Sequence, residues 1–295
     1  MGDQSEIRLY KVIFIMLLII QAFCWQPSFS APLPFIFLHG IGTDCSIRGN
    51  LMYIKQLMEW SYTKGFCLEI GNGSRTSWFT PLDKQVKAMK ELSKGYNIVG
   101  LSQGSLIGRG IVEFCEGAPP VRNLISVAAP QAGVASIPLN AGGTTVRTIA
   151  NSIMKAGAYS DYAQKRFAPT GYIKLPKNIK GYLKSCKFLP KLNNERPNDR
   201  NPAYKKRFSS LKNLVLIMNE NDTTIRPKES SWFGYYEDGS TKKVLQPRET
   251  KLYMEDWIGL KKLDKAGRVK FIKVEGNHLQ ISGAELLHYI IPYLQ

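Results

Sequence analysis

The chain has 295 residues, 44% hydrophobic and 21% charged, with a net charge of +17. That length and apolar content supply one full hydrophobic core and exclude an intrinsically disordered chain. Much of the charge is local: residues 155–212 carry 15 Lys or Arg against Asp161, Glu195 and Asp199, which attracts anionic membrane surfaces but comes with no nucleic-acid-binding motif, so nucleic acid is not expected as a partner.

At the N-terminus Arg8 and Lys11 precede an apolar run over residues 12–20, and the small residues Ser28 and Ser30 stand just before Ala31. This is the layout of a secretory signal peptide over residues 1–30, and it directs the rest of the chain to the secretory pathway, either to a lysosome or vacuole or to the exterior. Removing it leaves Cys45, Cys67, Cys115 and Cys186, an even set that permits three disulfide pairings. Asn72-Gly73-Ser74 and Asn221-Asp222-Thr223 are glycosylation sequons that suit that route. No C-x-x-C spacing occurs and there are three histidines, so no metal site is expected.

Short apolar runs then alternate with helical patterns. Phe35–Leu38 reads as a strand ending in His39-Gly40-Ile41-Gly42, and helical spacing covers residues 51–60. A strand over 66–70, a helix over 82–92 and a strand over 96–99 follow, then a helix from Leu106 to Phe114. Further strands are expected over Val121–Val127, 214–218 and Val269–Val274, and a helix over 283–293 closes the chain. Strand–helix alternation of this kind predicts an α/β fold, a mostly parallel sheet with helices on both faces. Residues from about 131 to 210 break the rhythm with helical segments and Pro169, Pro176, Pro190, Pro197 and Pro202. They read as a mainly helical insertion, a lid or acyl-binding subdomain, within a single domain over 31–295.

Between the strand at 96–99 and the helix after it stands Gly100-Leu101-Ser102-Gln103-Gly104. A G-x-S-x-G turn in that position strains the serine backbone and lifts its hydroxyl out of the sheet; small flanking residues let the chains pass. Ser102 is thus a candidate nucleophile. A serine hydroxyl needs a base to take its proton and a carboxylate to hold that base, in the chain order Ser, Asp or Glu, His. His278 follows the last strand in a loop and fits the base; His39 precedes the nucleophile and is read as shaping its turn, and His288 lies within the closing helix. Asp222, in the loop after residues 214–218, fits the acid better than Glu220, which is closer to the strand body, and Asp256 and Asp264 read as surface charges. Two backbone donors, the N–H groups of Ile41 and Gln103, are expected to form an oxyanion hole.

Beyond the elbow, Gly157-Ala158-Tyr159-Ser160, Asn193-Asn194-Glu195-Arg196, Asn221-Asp222 through Pro227 and Trp232-Phe233-Gly234-Tyr235-Tyr236 stand in one order ahead of Leu252-Tyr253 with Asp256, Gly259-Leu260 and Glu275-Gly276-Asn277-His278-Leu279-Gln280. In these blocks the chain resembles the palmitoyl-protein thioesterase family, from Pro34 to Leu294. The resemblance implies an α/β-hydrolase fold and cleavage of fatty acyl thioesters on cysteines of modified proteins. It puts the nucleophile, acid and base on Ser102, Asp222 and His278, and it implies no metal or organic cofactor. Expected partners are S-acylated proteins or peptides and long-chain acyl thioesters. Ile153, Met154, Tyr159, Tyr162 and Phe167 are candidates to line the acyl groove. Two departures stand out: Ala128-Ala129-Pro130-Gln131-Ala132-Gly133 replaces a Gly-rich segment with His, and the stretch from Trp78 to Ser102 is short by about two helical turns. A lipase or carboxylesterase acting on oxygen esters, and an acyl-chain-binding protein without catalysis, are the competing readings.

Overall fold

The computed structural model describes residues 32–69, 71–87, 95–136 and 144–295. The expected leader, residues 1–30, lies outside them, as do residues 88–94 at the end of the helix expected over 82–92. Six strands form one sheet: β1 (Phe35–Leu38), β2 (Gly65–Cys67), β3 (Tyr96–Leu101), β4 (Val121–Val127), β5 (Asn213–Asn219) and, beyond a small hairpin of β6 (Tyr235–Tyr236) and β7 (Val244–Leu245), β8 (Val269–Val274). Their order is β2-β1-β3-β4-β5-β8 and every neighbouring pair is parallel.

A strand buried on both faces reads as a continuous apolar run, because successive side chains point to opposite sides. Phe35 and Phe37 enter one core with Val99, Ile125, Val215 and Ile217, while Ile36 and Leu38 enter the other with Ile98, Leu124, Leu214 and Leu216. Leu57 of the helix Arg48–Ser61 and Leu286 of the helix Gly283–Tyr289 close the first core. Leu106 and Ile111 of the helix Gln103–Phe114 and Phe208 of the helix Pro202–Phe208 fill the second. Both faces are covered, as the alternation of patterns requires. Residues 33–295 make one compact unit, and among the described residues no helix is long and apolar enough to cross a membrane.

Between β4 and β5 the described chain holds helical segments and no named strand; one isolated bridge joins Val134 to Ile173. Each of the five prolines seen in that stretch stands in the first turn of a short helix. An N–H is unpaired in the first helical turn anyway, so a proline there costs little and sets φ for the turn. These residues start helices as well as interrupting them.

Three expected elements differ from those observed. β2 ends at Cys67, short of Ile70: Leu68 still donates to Phe37 O, but the Glu69 carboxylate accepts from the Cys45 N–H and engages His39. The closing helix stops at Tyr289 and tightens to a 3-10 turn over Ile291–Tyr293, where Pro292 brings no N–H. The helix after the elbow starts at Gln103, directly after the serine.

Candidate active site

The sheet order reverses at β1. Its successor β2 lies on one side, and the chain then crosses back to place β3 on the other. Crevices at the carboxyl ends of strands beside such a reversal are where α/β sheets bind ligands. Here β1 runs into His39-Gly40-Ile41-Gly42 and β3 runs into Ser102.

Ser102 has φ 50° and ψ −121°, a backbone state unusual for any residue with a Cβ. The flanking glycines make the turn feasible. A Cβ on Gly100 would stand 2.5 Å from Ser105 Cα, and one on Gly104 would stand 2.2 Å from Leu38 O. No side chain fits at either place, so the packing of the turn against β1 requires the two glycines. The Ser102 N–H donates to Val127 O at 2.8 Å, which ties the elbow to β4.

Three residues far apart in the chain converge. His278 Nε2 lies 3.2 Å from Ser102 Oγ, and His278 Nδ1 lies 2.7 Å from Asp222 Oδ2. A carboxylate only accepts, so Nδ1 carries the proton and Nε2 presents a lone pair to the serine hydroxyl. The Asp222 side chain is wholly buried, and its Oδ1 accepts from the Thr224 and Ile225 N–H groups at 2.8 and 2.9 Å. That turn fixes the carboxylate before the imidazole arrives.

Asn219, the last residue of β5, was missed from sequence and holds the histidine loop. Its Oδ1 accepts from the Leu279 N–H at 3.2 Å, and its Nδ2 donates to Gln280 O at 2.5 Å. The side chain is fully buried, and no signal in the sequence marks it.

The alternatives are occupied elsewhere. Glu220 pairs with Lys273 at 2.8 Å, Asp256 with Lys205 at 3.1 Å and Asp264 with Arg248 at 2.8 Å. His39 lies 3.3 Å from Glu69 Oε1 and 2.9 Å from Gly40 O, shaping its own turn, and His288 sits exposed beside Tyr289. His39, Cys45 and Glu69 lie close enough to share a metal ion, but Cys45 is bonded to Cys67, so its sulfur is no thiolate ligand. None of the three expected pairings of all four cysteines forms in full, because Cys45–Cys67 is the single disulfide among the described residues and Cys186 is not bonded. The Cys186 thiol is buried and pushed up to about 12 by desolvation, donating to Gly171 O at 3.2 Å.

A cavity of about 700 Å³ opens over Ser102 and His278. Ile41, Trp78, Phe79, Leu101 and Leu279 line it, with Thr43, Asn50, Ser74, Arg75 and Thr224 among its polar members. None of Ile153, Met154, Tyr159, Tyr162 and Phe167 lines this cavity. Phe167 stands behind the wall with its ring 6.0 Å from that of Phe79, Ile153 is core, and Met154 and Tyr162 are exposed. The helix Gly73–Phe79 supplies Trp78 and Phe79 to the cavity wall. Gln103 begins the helix after the serine, and Ile41 lines the cavity; its N–H donates to no group among the described residues. The two sequon asparagines, Asn72 and Asn221, are exposed.

A doubly covered parallel sheet, a strained serine turn beside its order reversal and a histidine loop after the last strand define an α/β-hydrolase. A family model described as palmitoyl protein thioesterase matches residues 34–278. Palmitoyl-protein thioesterase 1 of Caenorhabditis elegans is 35% identical over 271 residues, covering 88% of this chain and 90% of the relative. Palmitoyl-protein thioesterase 3 of Dictyostelium discoideum is 33% identical over 280 residues, covering 90% of this chain and 93% of the relative. Lysosomal thioesterase PPT2 of Mus musculus is 28% identical, covering 80% and 78%. The chain belongs to the palmitoyl protein thioesterase family, and it is a hydrolase.

Proposed function

We propose that this protein removes palmitoyl-type groups from cysteines of lipid-modified proteins by a Ser-His-Asp acyl-enzyme mechanism. His278 Nε2 takes the Ser102 proton as Oγ attacks the thioester carbonyl carbon. The carbonyl oxygen becomes an oxyanion held by the N–H groups of Ile41 and Gln103. The C–S bond then breaks, and the cysteine leaves with the proton from His278. Water, deprotonated by His278, attacks the acyl-serine ester; the fatty acid departs and Ser102 regains its hydrogen. Asp222 keeps Nδ1 protonated and stabilises the imidazolium formed in both halves. Thiolate is a good leaving group, since its conjugate acid titrates near 8.5, so leaving-group protonation is less demanding than for an amide.

One observation carries this reading: the two hydrogen bonds joining Ser102 to His278 and His278 to Asp222 at the floor of an apolar cavity. Burial is worth about 0.8 kcal/mol per CH₂, so a C16 chain laid against Trp78, Phe79 and Leu279 gains far more affinity than a short ester. Family membership supports the thioester as the bond attacked. The signal-peptide reading, the exposed sequons at Asn72 and Asn221 and the lysosomal relatives support a lysosomal or vacuolar site of action. The exposed cations Lys177, Lys180 and Lys184 of the insertion, which make no ion pair among the described residues, suit an anionic membrane on which acylated proteins reside.

The test is hydrolysis of a palmitoyl-cysteine peptide beside its matched oxygen ester, for wild type and Ser102→Ala. Preference for the thioester, lost in Ser102→Ala, is the expected result. Preference for the oxyester would make the protein a lipase or carboxylesterase. Lipid binding without turnover or fluorophosphonate labelling of Ser102 would make it a binding protein.

A further inference from the structure

Ser77 lies inside the helix Gly73–Phe79 and is 4% exposed. Its hydroxyl donates to Ser74 O at 2.6 Å and accepts from the Gly42 N–H at 2.8 Å. Its backbone carbonyl accepts from Gln103 Nε2 at 2.8 Å. The other end of the Gln103 amide, Oε1, accepts from the Tyr172 hydroxyl at 3.1 Å. Gln103 is 1% exposed, so both ends of its side chain are buried and both are satisfied. A single residue thus touches both segments that carry the proposed oxyanion donors: the residue after Ile41 on one side and Gln103 itself on the other.

The Gly42 segment has little freedom to find another partner. Gly42 has φ +76°, and a Cβ there would stand 3.1 Å from Trp78 Nε1. Its N–H is drawn to Ser77, while the adjacent Ile41 N–H keeps no protein acceptor among the described residues. The residue at position 77 must accept from one backbone group and donate to another at the same oxygen, which a hydroxyl does and a methyl does not.

We infer that Ser77 is a positioning residue that fixes the two proposed oxyanion donors relative to each other, acting through Gly42 and Gln103 without touching substrate. This rests on the assignment of Ile41 and Gln103 above. The interaction it supports grows with charge on the oxyanion, so its loss falls on the transition state and leaves ground-state binding of the acyl chain intact. A donor displaced by about 1 Å costs on the order of 10²-fold in rate.

The experiment compares wild type, Ser77→Ala and Ser77→Cys in hydrolysis of a palmitoyl-cysteine peptide, with Ser102→Ala as blank. A second measurement is inhibition by a palmityl trifluoromethyl ketone, whose adduct with the serine carries an oxyanion, beside binding of free palmitate. Expected for Ser77→Ala is a kcat drop of about 10–100-fold with KM within about twofold, and an equal loss of affinity for the ketone with palmitate unaffected. If Ser77→Ala does not fold, Ser77→Cys, near in size and a weak hydrogen-bonding group, gives the same pattern at smaller amplitude. A kcat equal to wild type in a folded variant, or parallel losses of ketone and palmitate binding, overturns the inference. Wild type no faster than the Ser102→Ala blank overturns the enzymatic reading itself, a distinct outcome.

Discussion

Arg109 and Glu113 stand one helical turn apart and meet wholly out of solvent, with Arg109 Nε and Nη2 donating to Glu113 Oε1 at 3.0 and 2.8 Å. The guanidinium also donates to Gln131 Oε1, Asn193 Oδ1 and Leu192 O, and it lies 5.2 and 4.8 Å from the rings of Phe208 and Phe233. It therefore fastens the residues around Asn193 to the helix that follows Ser102. Removing the arginine strands a buried carboxylate and two amides. Arg109→Met is expected to cost about 3–5 kcal/mol, read as a shift in the chemical denaturation midpoint. A change under about 1 kcal/mol would show that the network does not hold those residues.

Glu113 also sets a pH dependence. Burial raises its carboxyl from 4.5 to about 7, opposed in part by Arg109 on its own helix and by Arg207 from the helix Pro202–Phe208. Between these two values the folded protein keeps the proton and the unfolded chain releases it. Each rise in pH across that window therefore favours unfolding. The contribution is full below about 4.5 and is lost as pH rises through about 7. The melting temperature of wild type is expected to have a component that increases from pH 7.5 to pH 5, and Glu113→Gln is expected to remove it. An unchanged slope in the variant would assign the effect to other groups.

Two glycines make a contrasting pair. A Cβ on Gly104 would meet Leu38 O at 2.2 Å, whereas one on Gly49, in the helix Arg48–Ser61, meets nothing within 4 Å. Gly104→Ala is expected to lose at least about 3 kcal/mol or fail to fold, while Gly49→Ala gains a few tenths to about 1 kcal/mol. Denaturation of the two variants side by side checks the geometry of the elbow without an activity assay.

The Cys45–Cys67 bond closes a loop of 22 residues that begins just past Ile41 and Gly42. Replacing both cysteines by serine is expected to cost roughly 3 kcal/mol by loop entropy. It should also lower kcat, because the segment holding Ile41 loses one of its moorings. A double variant as stable and as fast as wild type would make the bond incidental.

Asp222→Asn leaves the turn to Thr224 and Ile225 able to form but favours the wrong histidine tautomer. The expected loss is on the order of 10³–10⁴ in kcat. Glu220→Gln, which touches only the exposed Lys273, is expected to leave kcat within about twofold. Equal losses in the two would mean that the carboxylates had been assigned the wrong way round.

Strand positions were legible because each long strand carries a short cluster of apolar residues, as in Phe35–Leu38 and in Leu214 to Met218, and the elbow was legible because it needs glycines at two fixed offsets. Ser102, Asp222 and His278 were picked out from chain order and loop position, and the structure brings them together. The cavity wall was not legible. Trp78 and Phe79 sit on a seven-residue helix too short to show amphipathic periodicity, while the aromatics of the longer insertion gave the stronger pattern. Asn219 and Ser77 were also beyond reach, since each acts by bonding backbone groups of distant segments, and a single sequence carries no trace of such partners. The β6–β7 hairpin, with strands of two residues, left no alternation to detect.

Ser102 and His278 are 176 residues apart, and β8, the strand before His278, pairs only with β5 at the rim of the sheet. A nascent chain therefore acquires its serine 176 residues before its imidazole. Until the last strand emerges and docks, the hydroxyl has no base beside it. Dormancy during synthesis is thus written into the strand order. A premature stop anywhere between the two codons would silence the protein as completely as loss of the serine codon.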